Sequence, residues 1–197
     1  MGKWQSKTGL TAEQFRKLTE YCNRSDNQID NVNRAAALGF NREDNIRVAP
    51  GAIVRLAAGS SIGRDCFIGL YSYVNGAVTM GERVLIGPHC AISSNTHGFD
   101  VETQCFQGAN KRDPIVIGDG SWLASGCVVT PGVTIGKCNL VCANCVVTRD
   151  TPAYAIVAGT PGRVVGSVDP DTGKSTWFGR DDDDGADPAG EDRSSGS

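Results

Sequence analysis

The aliphatic residues of this chain recur at every sixth position in two long runs, and the positions between them are mostly polar or small. A period of six belongs neither to an amphipathic helix nor to an ordinary strand. It is typical of a parallel β-helix, in which short strands end at turns and the aliphatic side chains stack in interior columns. The aliphatic positions are Ile62, Ile68, Val74, Met80, Ile86 and Ile92 in the first run, and Ile117, Leu123, Val129, Ile135, Val141 and Val147 in the second.

Stacked coils of such a helix lie about 4.8 Å apart, so each coil must present a similar side chain at the same corner. Glycine follows the aliphatic residue in half of the hexads. It suits a corner where a Cβ atom or a positive φ would be costly. The fifth place of each hexad is mostly small or β-branched, and half of the eight cysteines occupy it. These cysteines are therefore predicted to fill the core rather than to bind zinc, and no metal site is expected.

The segment before the repeat predicts two helices, from about Thr11 to Cys22 and from about Asn27 to Leu38, the second stopped by Gly39. The repeat frame then breaks between Ile92 and Ile117, which predicts a protruding loop. The expected organisation is an N-terminal helical segment 1–45, a β-helix 46–166 with a loop 97–114, a C-terminal extension 167–178 and a disordered acidic tail 179–197.

The formal net charge of −3 conceals an asymmetry, because the stretch from Arg180 to Arg193 holds seven acidic residues against two arginines. The rest of the chain is therefore mildly basic, which suits an anionic ligand but not a nucleic acid. No run of about 18 apolar residues and no signal peptide is present, so a membrane partner is not expected and a cytoplasmic location is.

Two segments carry a resemblance to a known family. These are NTHGF at 95–99 and the stretch from Pro114 to Val165, which runs from PIVIGDGSW to VAGTPGRVV. The chain resembles the hexapeptide-repeat acyltransferases, most closely their galactoside, maltose and nodulation-factor acetyltransferase branch. The resemblance covers about residues 46–166. It implies an all-β fold with a left-handed parallel β-helix, acetyl-CoA as cosubstrate, and a homotrimer whose active sites lie between subunits.

His97 is the predicted catalytic residue on two grounds. It matches the general base of the family, and it stands where the regular coil gives way to the loop. Transfer of an acyl group to a hydroxyl needs a base that works near neutral pH, which suits imidazole. The second histidine, His89, lies inside the repeat and is expected to be a surface or interface residue.

The resemblance also implies residues for the donor and the acceptor. Asn75 stands in for the acceptor-binding asparagine in the coil before the histidine, and Asn95, at the loop entry, is a second acceptor candidate. The N-terminal segment matches no helical cap of the family, so the acceptor is not identified. The residues matching acetyl-CoA-binding positions are Trp122, Ser125, Ala143, Arg149 and Arg163.

The expected activity is transfer of an acetyl group from acetyl-CoA to a hydroxyl of a sugar or glycan precursor, by direct attack without a covalent enzyme intermediate. Acetylation of an amine on an amino sugar or antibiotic is an open alternative, since the same base would serve it. A non-catalytic β-helix scaffold is another. The γ-class carbonic anhydrases share the fold but bind their metal through three histidines. The chain has only two, so this function is not expected.

Overall fold

The computed structural model of the chain describes residues 9–108 and 110–179. The predicted acidic tail 179–197 lies outside these residues from position 180 onward, as do residues 1–8 of the N-terminal segment. Among the described helices, none is long and apolar enough to cross a bilayer.

The N-terminal segment forms two helices, close to the predicted bounds. Thr11 caps the first through a capping box with Gln14, and Asn27 caps the second. The second helix lies against the start of the β-helix, where the Nε of Arg34 donates a hydrogen bond to the carbonyl oxygen of Val48 at 2.8 Å. The helices are α1 (Ala12–Arg24), α2 (Gln28–Ala37) and a short 3₁₀ helix (Arg42–Asp44).

Nineteen strands follow in the described residues, most of them two to four residues long, as a six-residue repeat with a turn at each corner requires. They are β1 (Arg47–Val48), β2 (Ile53–Leu56), β3 (Ser61–Ile62), β4 (Phe67–Ile68), β5 (Tyr73–Gly76), β6 (Val78–Met80), β7 (Leu85–Ile86), β8 (Ala91–Ser93), β9 (Asn95–His97), β10 (Asn110–Arg112), β11 (Ile115–Ile117), β12 (Trp122–Leu123), β13 (Val128–Val129), β14 (Thr134–Ile135), β15 (Leu140–Val141), β16 (Val146–Val147), β17 (Ala155–Ala158), β18 (Arg163–Val168) and β19 (Ser175–Trp177).

The strands stack into three sheets that form a left-handed parallel β-helix, which confirms the predicted fold. Sheet A has the order β1-β4-β7-β12-β15-β17-β18-β19, sheet B has β2-β5-β8-β13-β16, and sheet C has β3-β6-β11-β14. Successive coils pair in parallel and in the same register. Ile86, for example, lies between Ile68 of the preceding coil and Leu123 of the following one. The last two strands of sheet A turn back as antiparallel β18 and β19.

The predicted interior columns form the core. Eleven of the twelve aliphatic hexad residues are buried, and Ile62, in the first coil, is partly buried. The cysteines Cys66, Cys90, Cys127 and Cys145 are buried among them, as predicted.

Glycine after the interior aliphatic residue serves the close approach of the next coil. Gly87 has an ordinary negative φ, yet a Cβ atom there would lie 2.8 Å from the backbone of Ala124 and Ser125. The left-handed backbone occurs two residues later, at His89 and its equivalents such as Tyr71. Glycine is therefore needed here for clearance from the neighbouring coil and not for a positive φ.

Small side chains at the fifth hexad place also form hydrogen bonds between coils. Ser72 Oγ donates to the carbonyl oxygen of Gly87 at 2.8 Å and accepts from the backbone N–H of Cys90 at 3.1 Å. Cys66 Sγ makes the same pair of contacts one corner away, donating to the carbonyl oxygen of Gly81 at 3.1 Å. Burial raises the pKa of the Cys66 thiol, so the thiol stays protonated and can donate. The prediction of an apolar filler missed this role.

The predicted loop leaves the β-helix at one corner between sheets B and C. The step from Ile92 to Ile117 is 25 positions instead of six, yet Ile117 still pairs directly with Met80. At its root, the antiparallel strands β9 and β10 form a hairpin that extends from the end of β8. The insertion therefore adds a projection without disturbing the register of the coils.

Replacing Ser72 tests whether the fifth place requires a hydrogen-bonding group. Ser72→Ala should lower the free energy of unfolding by about 1–3 kcal/mol, because a buried N–H and a buried carbonyl lose their partner. Ser72→Cys should lose less, because a thiol occupies the equivalent place in other coils. Urea unfolding at fixed protein concentration measures both variants, and equal losses would contradict the proposed role.

Candidate active site

A cleft of about 360 Å³ lies on the outer surface of sheet B, where the loop hairpin leaves the β-helix. It contains His97 together with both predicted acceptor residues, Asn75 and Asn95. The other three lining residues had no predicted role. The lining residues are Tyr73, Asn75, Ser93, Asn95, His97 and Arg112.

Strand alternation places half of this lining. Val74 and Ile92 are buried in the interior, so their neighbours Tyr73, Asn75 and Ser93 point outward from sheet B. Asn75 lies directly beside Ser93 in the parallel register of β5 and β8. Its Nδ2 is 3.5 Å from Ser93 Oγ. One outward row therefore offers amide and hydroxyl groups, which are suitable for binding the hydroxyls of a ligand.

The loop hairpin supplies the other half. Asn95 pairs with Arg112 across β9 and β10, and Arg112 Nε donates to Asn95 Oδ1 at 3.1 Å. The backbone N–H of Asn95 in turn lies 3.4 Å from Ser93 Oγ. These contacts fix the root of the hairpin to the sheet. His97 is exposed at the end of β9, facing the same cleft.

The loop beyond His97 is closed by its own contacts. The rings of Phe99 and Phe106 meet edge to face with centroids 5.2 Å apart. The Asp100 carboxylate accepts hydrogen bonds from the backbone N–H groups of Glu102 and Thr103, at 2.9 and 3.1 Å. These two hydrogen bonds lower the pKa of Asp100, and the one from Thr103 has the larger effect. The carboxylate therefore stays ionised and keeps the turn closed at neutral pH.

Three of the predicted donor residues lie along another edge of sheet B, at its corner with sheet A. Ser125 and Ala143 occupy equivalent turns of successive coils, which are joined by a 2.8 Å hydrogen bond from the N–H of Asn144 to the carbonyl oxygen of Ser125. The turn between β17 and β18 lies over the same corner, where Thr160 Oγ1 donates to the carbonyl oxygen of Asn144 at 3.1 Å. Arg163 begins β18 next to this turn and is exposed.

The remaining two donor residues are elsewhere. Trp122 is half exposed on the outer face of sheet A, in register with Leu85 and Leu140. Arg149 follows β16 at the corner between sheets B and C. Crossing sheet B from Ser125 to Thr130 spans up to about 16 Å at about 3.3 Å per residue. Within one chain, the predicted donor residues therefore do not line the cleft that holds His97.

The other histidine lies outside this cleft. His89 is exposed at the corner between sheets A and B, and its ring stacks on Tyr71 with a centroid distance of 5.5 Å. It is a surface residue, as expected. Within the described residues, no three His, Cys, Asp or Glu side chains are grouped as they would be to hold a metal ion.

The unassigned lining residues had a partial signal in the sequence. Tyr73 directly precedes the interior residue Val74, and Ser93 directly follows the interior residue Ile92. Strand alternation therefore places both side chains outward. Their proximity to Asn95 and His97 follows from the path of the loop hairpin. Arg112 had no such signal, because its place depends on the pairing of β10 with β9.

Two family descriptions match parts of the chain. Residues 114–149 match "Bacterial transferase hexapeptide (six repeats)", and residues 60–87 match "Hexapeptide repeat of succinyl-transferase". The matched segments lie on either side of the loop, in the coils whose interior columns form the core.

Known proteins show the same similarity. Nodulation protein L of Rhizobium meliloti (strain 1021) is 38% identical over 135 residues, which cover 64% of this chain and 73% of that protein. Galactoside O-acetyltransferase of Escherichia coli (strain K12) is 37% identical over 101 residues, 51% of this chain and 49% of that enzyme. The chain spans about half the length of several curated relatives that it matches.

Among solved structures, a mutant of AntD, an N-acyltransferase from Bacillus cereus, superposes with a TM-score of 0.56 at 18% identity. The match covers 64% of this chain and 72% of AntD. At this identity the likeness concerns the fold alone.

Asp100 offers a test of how the loop next to His97 is held. Asp100→Ala should speed tryptic cleavage after Lys111 and Arg112 a few-fold at pH 8, because two backbone N–H groups lose their acceptor. Asp100→Asn keeps an acceptor oxygen and should be cleaved nearly as slowly as the wild type. Because the folded-state pKa is lowered, acid should open the loop only as the pH falls below about 4. Equal cleavage rates for the three proteins would contradict this account.

Proposed function

We propose that this chain, which belongs to the hexapeptide-repeat transferase family, transfers an acetyl group from acetyl-CoA to a hydroxyl of a sugar or glycan precursor. The observation that carries the proposal is the cleft, in which His97 shares a wall with Asn75, Ser93 and Asn95. A histidine beside a row of amide and hydroxyl groups suits a polyhydroxylated acceptor. The name of one curated relative, galactoside O-acetyltransferase, supports the same class.

In the proposed reaction, His97 removes the proton from the acceptor hydroxyl while the oxygen attacks the thioester carbonyl. The tetrahedral intermediate collapses with cleavage of the carbon–sulfur bond, and the CoA thiolate takes the proton back from the imidazolium. The products are the acetyl ester and CoA. Imidazole suits both proton transfers because its ordinary pKa lies near neutral pH. Neither a covalent enzyme intermediate nor a metal ion enters the scheme.

The acceptor row would orient the sugar for this step. Asn75 and Asn95 each offer a donor and an acceptor, so that they can bind adjacent hydroxyls. Ser93 lies between them, in contact with both. Holding the reacting hydroxyl in one position lowers the entropic part of the barrier.

The donor would bind along the corner between sheets A and B. Arg163 suits the phosphates of CoA, because a guanidinium forms charge-assisted hydrogen bonds with phosphate oxygens. Arg149, at the corner between sheets B and C, is proposed for the same role toward a donor held by the neighbouring copy of the chain. Trp122 offers an apolar wall for the pantetheine arm, and Ala143 a backbone contact. Ser125 would hold the thioester and assist the developing oxyanion.

The distance between the two groups favours an active site shared by two copies of the chain. Within one chain, His97 and the corner that carries Ser125 lie at opposite edges of sheet B. In a homotrimer, the corner of one subunit can face the His97 cleft of the next around the ring. The half-exposed Leu85 and Trp122, side by side on sheet A, add apolar surface for such an interface.

His97→Ala should lower kcat/KM for acetyl transfer by about 100-fold or more, because the general base is lost. The control is Arg64→Ala, an exposed side chain at the corner between sheets C and A, which should retain activity within a few-fold. Release of CoA thiol with sugar acceptors measures both, and an amino sugar in the same assay distinguishes transfer to nitrogen. Turnover of His97→Ala within about ten-fold of wild type would contradict the assigned base.

Mixing two inactive variants tests the shared site. His97→Ala lacks the base, and Ser125→Trp should block the donor corner with a bulky indole at an exposed turn. In randomly mixed trimers, about a quarter of the sites would combine an intact cleft with an intact corner. Co-expressed variants should therefore regain activity that neither has alone. No recovery, in trimers confirmed by analytical ultracentrifugation, would place both parts of the site in one chain.

A further inference from the structure

The acceptor row continues beyond Asn75 to an arginine that the proposed mechanism does not use. Arg55 on β2 lies directly beside Asn75, which in turn lies beside Ser93. Two strand spacings place Arg55 about 10 Å from Ser93 along the surface of sheet B. Arg55 is exposed and lines an adjoining cleft of about 340 Å³ with Leu38 and Phe40 from the end of the N-terminal segment.

A second arginine lies at the other end of the row. Arg112 uses its Nε to bind Asn95, and its side chain lines the cleft beside His97. Within residues 9–108 and 110–179, neither Arg55 nor Arg112 forms an ion pair with a carboxylate. The six residues that line the His97 cleft include no acidic side chain. The acceptor surface is therefore positively charged at both ends.

Arginine at such a place has a specific chemical preference. Its planar guanidinium binds a carboxylate or a phosphate through two parallel hydrogen bonds, and it keeps its charge at any physiological pH. A neutral sugar needs only the amide and hydroxyl groups that Asn75, Ser93 and Asn95 already supply. Two guanidinium groups without a carboxylate partner in the described structure point to a ligand that carries negative charge.

We propose that the acceptor is an anionic saccharide whose carboxylate or phosphate group is bound by Arg55 while its reacting hydroxyl lies beside His97. Along the row of outward residues on β2, β5 and β8, Arg55 lies about two strand spacings, or about 10 Å, from Ser93, and His97 follows four residues beyond Ser93 at the end of β9. A saccharide whose charged group and reacting hydroxyl lie on one ring or on neighbouring rings extends along this row. Arg112 adds positive charge near the reacting end. This inference rests on the proposed acetyltransferase function and adds the class of its acceptor.

The experiment compares neutral sugars with their charged counterparts. The neutral parents are methyl glucoside and methyl galactoside, and the charged counterparts are the 1-phosphates, 6-phosphates and uronates of the same sugars. At least one charged sugar should exceed its neutral parent about ten-fold or more in kcat/KM, since hydrogen bonds to charged groups contribute that much. The uronate and phosphate arms identify which anion Arg55 binds.

Variants assign the preference to Arg55. Arg55→Gln should reduce the preference for the charged sugar over its neutral parent at least about ten-fold, chiefly by raising the KM of the charged sugar. It should leave the KM of acetyl-CoA unchanged. Arg55→Lys should keep part of the preference, because it retains the charge but not the paired hydrogen bonds. Arg64→Gln, an exposed arginine at another corner of the same coil, is the matched control and should keep the full preference.

Direct binding of the same sugars, measured by saturation-transfer NMR on wild type and Arg55→Gln, provides a readout independent of turnover. The proposal is overturned if no charged sugar binds better than its neutral parent, if Arg55→Gln weakens both equally, or if it raises the KM of acetyl-CoA instead. Failure of the proposed function would look different. In that case calorimetry would detect no binding of acetyl-CoA, and no sugar of either kind would release thiol.

Discussion

Hydrogen bonding between parallel strands holds each coil about 4.8 Å above the last, and this spacing leaves almost no freedom at the corners. At Gly87, even a methyl group would meet the backbone of the next coil at 2.8 Å. At the fifth hexad place, the side chain is small or β-branched, and at Ser72 and Cys66 it also hydrogen-bonds peptide groups of the neighbouring coil. The six-residue period is therefore the visible result of one distance applied at every coil.

The same spacing explains why the inserted loop lies at a corner. Residues inserted within a strand would shift the pairing of every later coil, but residues inserted at a turn can leave the helix and return. The pairing of Met80 with Ile117 across the insertion is unchanged. Because β9 continues directly from β8, the first residues of the loop inherit the position of Ser93. The rigid helix thus fixes the place of His97, while the length of the loop remains free.

This division determines what the sequence alone could predict. The interior positions, the loop and the place of His97 at its entry were predictable, because the stacking distance constrains the residue types of the coils and the break in the repeat marks the loop; the catalytic role of His97 stays a prediction. The hydrogen bonds of the cysteines were missed, since buried thiols were treated only as apolar volume. Arg112 was missed because its place depends on hairpin pairing 17 residues away from Asn95. Trp122 and Ser125 are separated from His97 within one chain, and the repeat does not relate them to it; only the family resemblance, which implies active sites between subunits, does.

Outward positions are less constrained by packing than interior positions, so their residues can determine which ligand is bound. A change of an interior residue alters the packing of two neighbouring coils, whereas an outward residue on sheet B contacts mainly solvent or ligand. Yet the register that orders the core also orders the outer face, so that Arg55, Asn75 and Ser93 stand at regular intervals. A β-helix can therefore change the chemistry of its acceptor one strand at a time without altering the distances between the groups. In this chain, the interval that packs Val54 against Val74, and Val74 against Ile92, also separates Arg55 from Asn75 and Asn75 from Ser93.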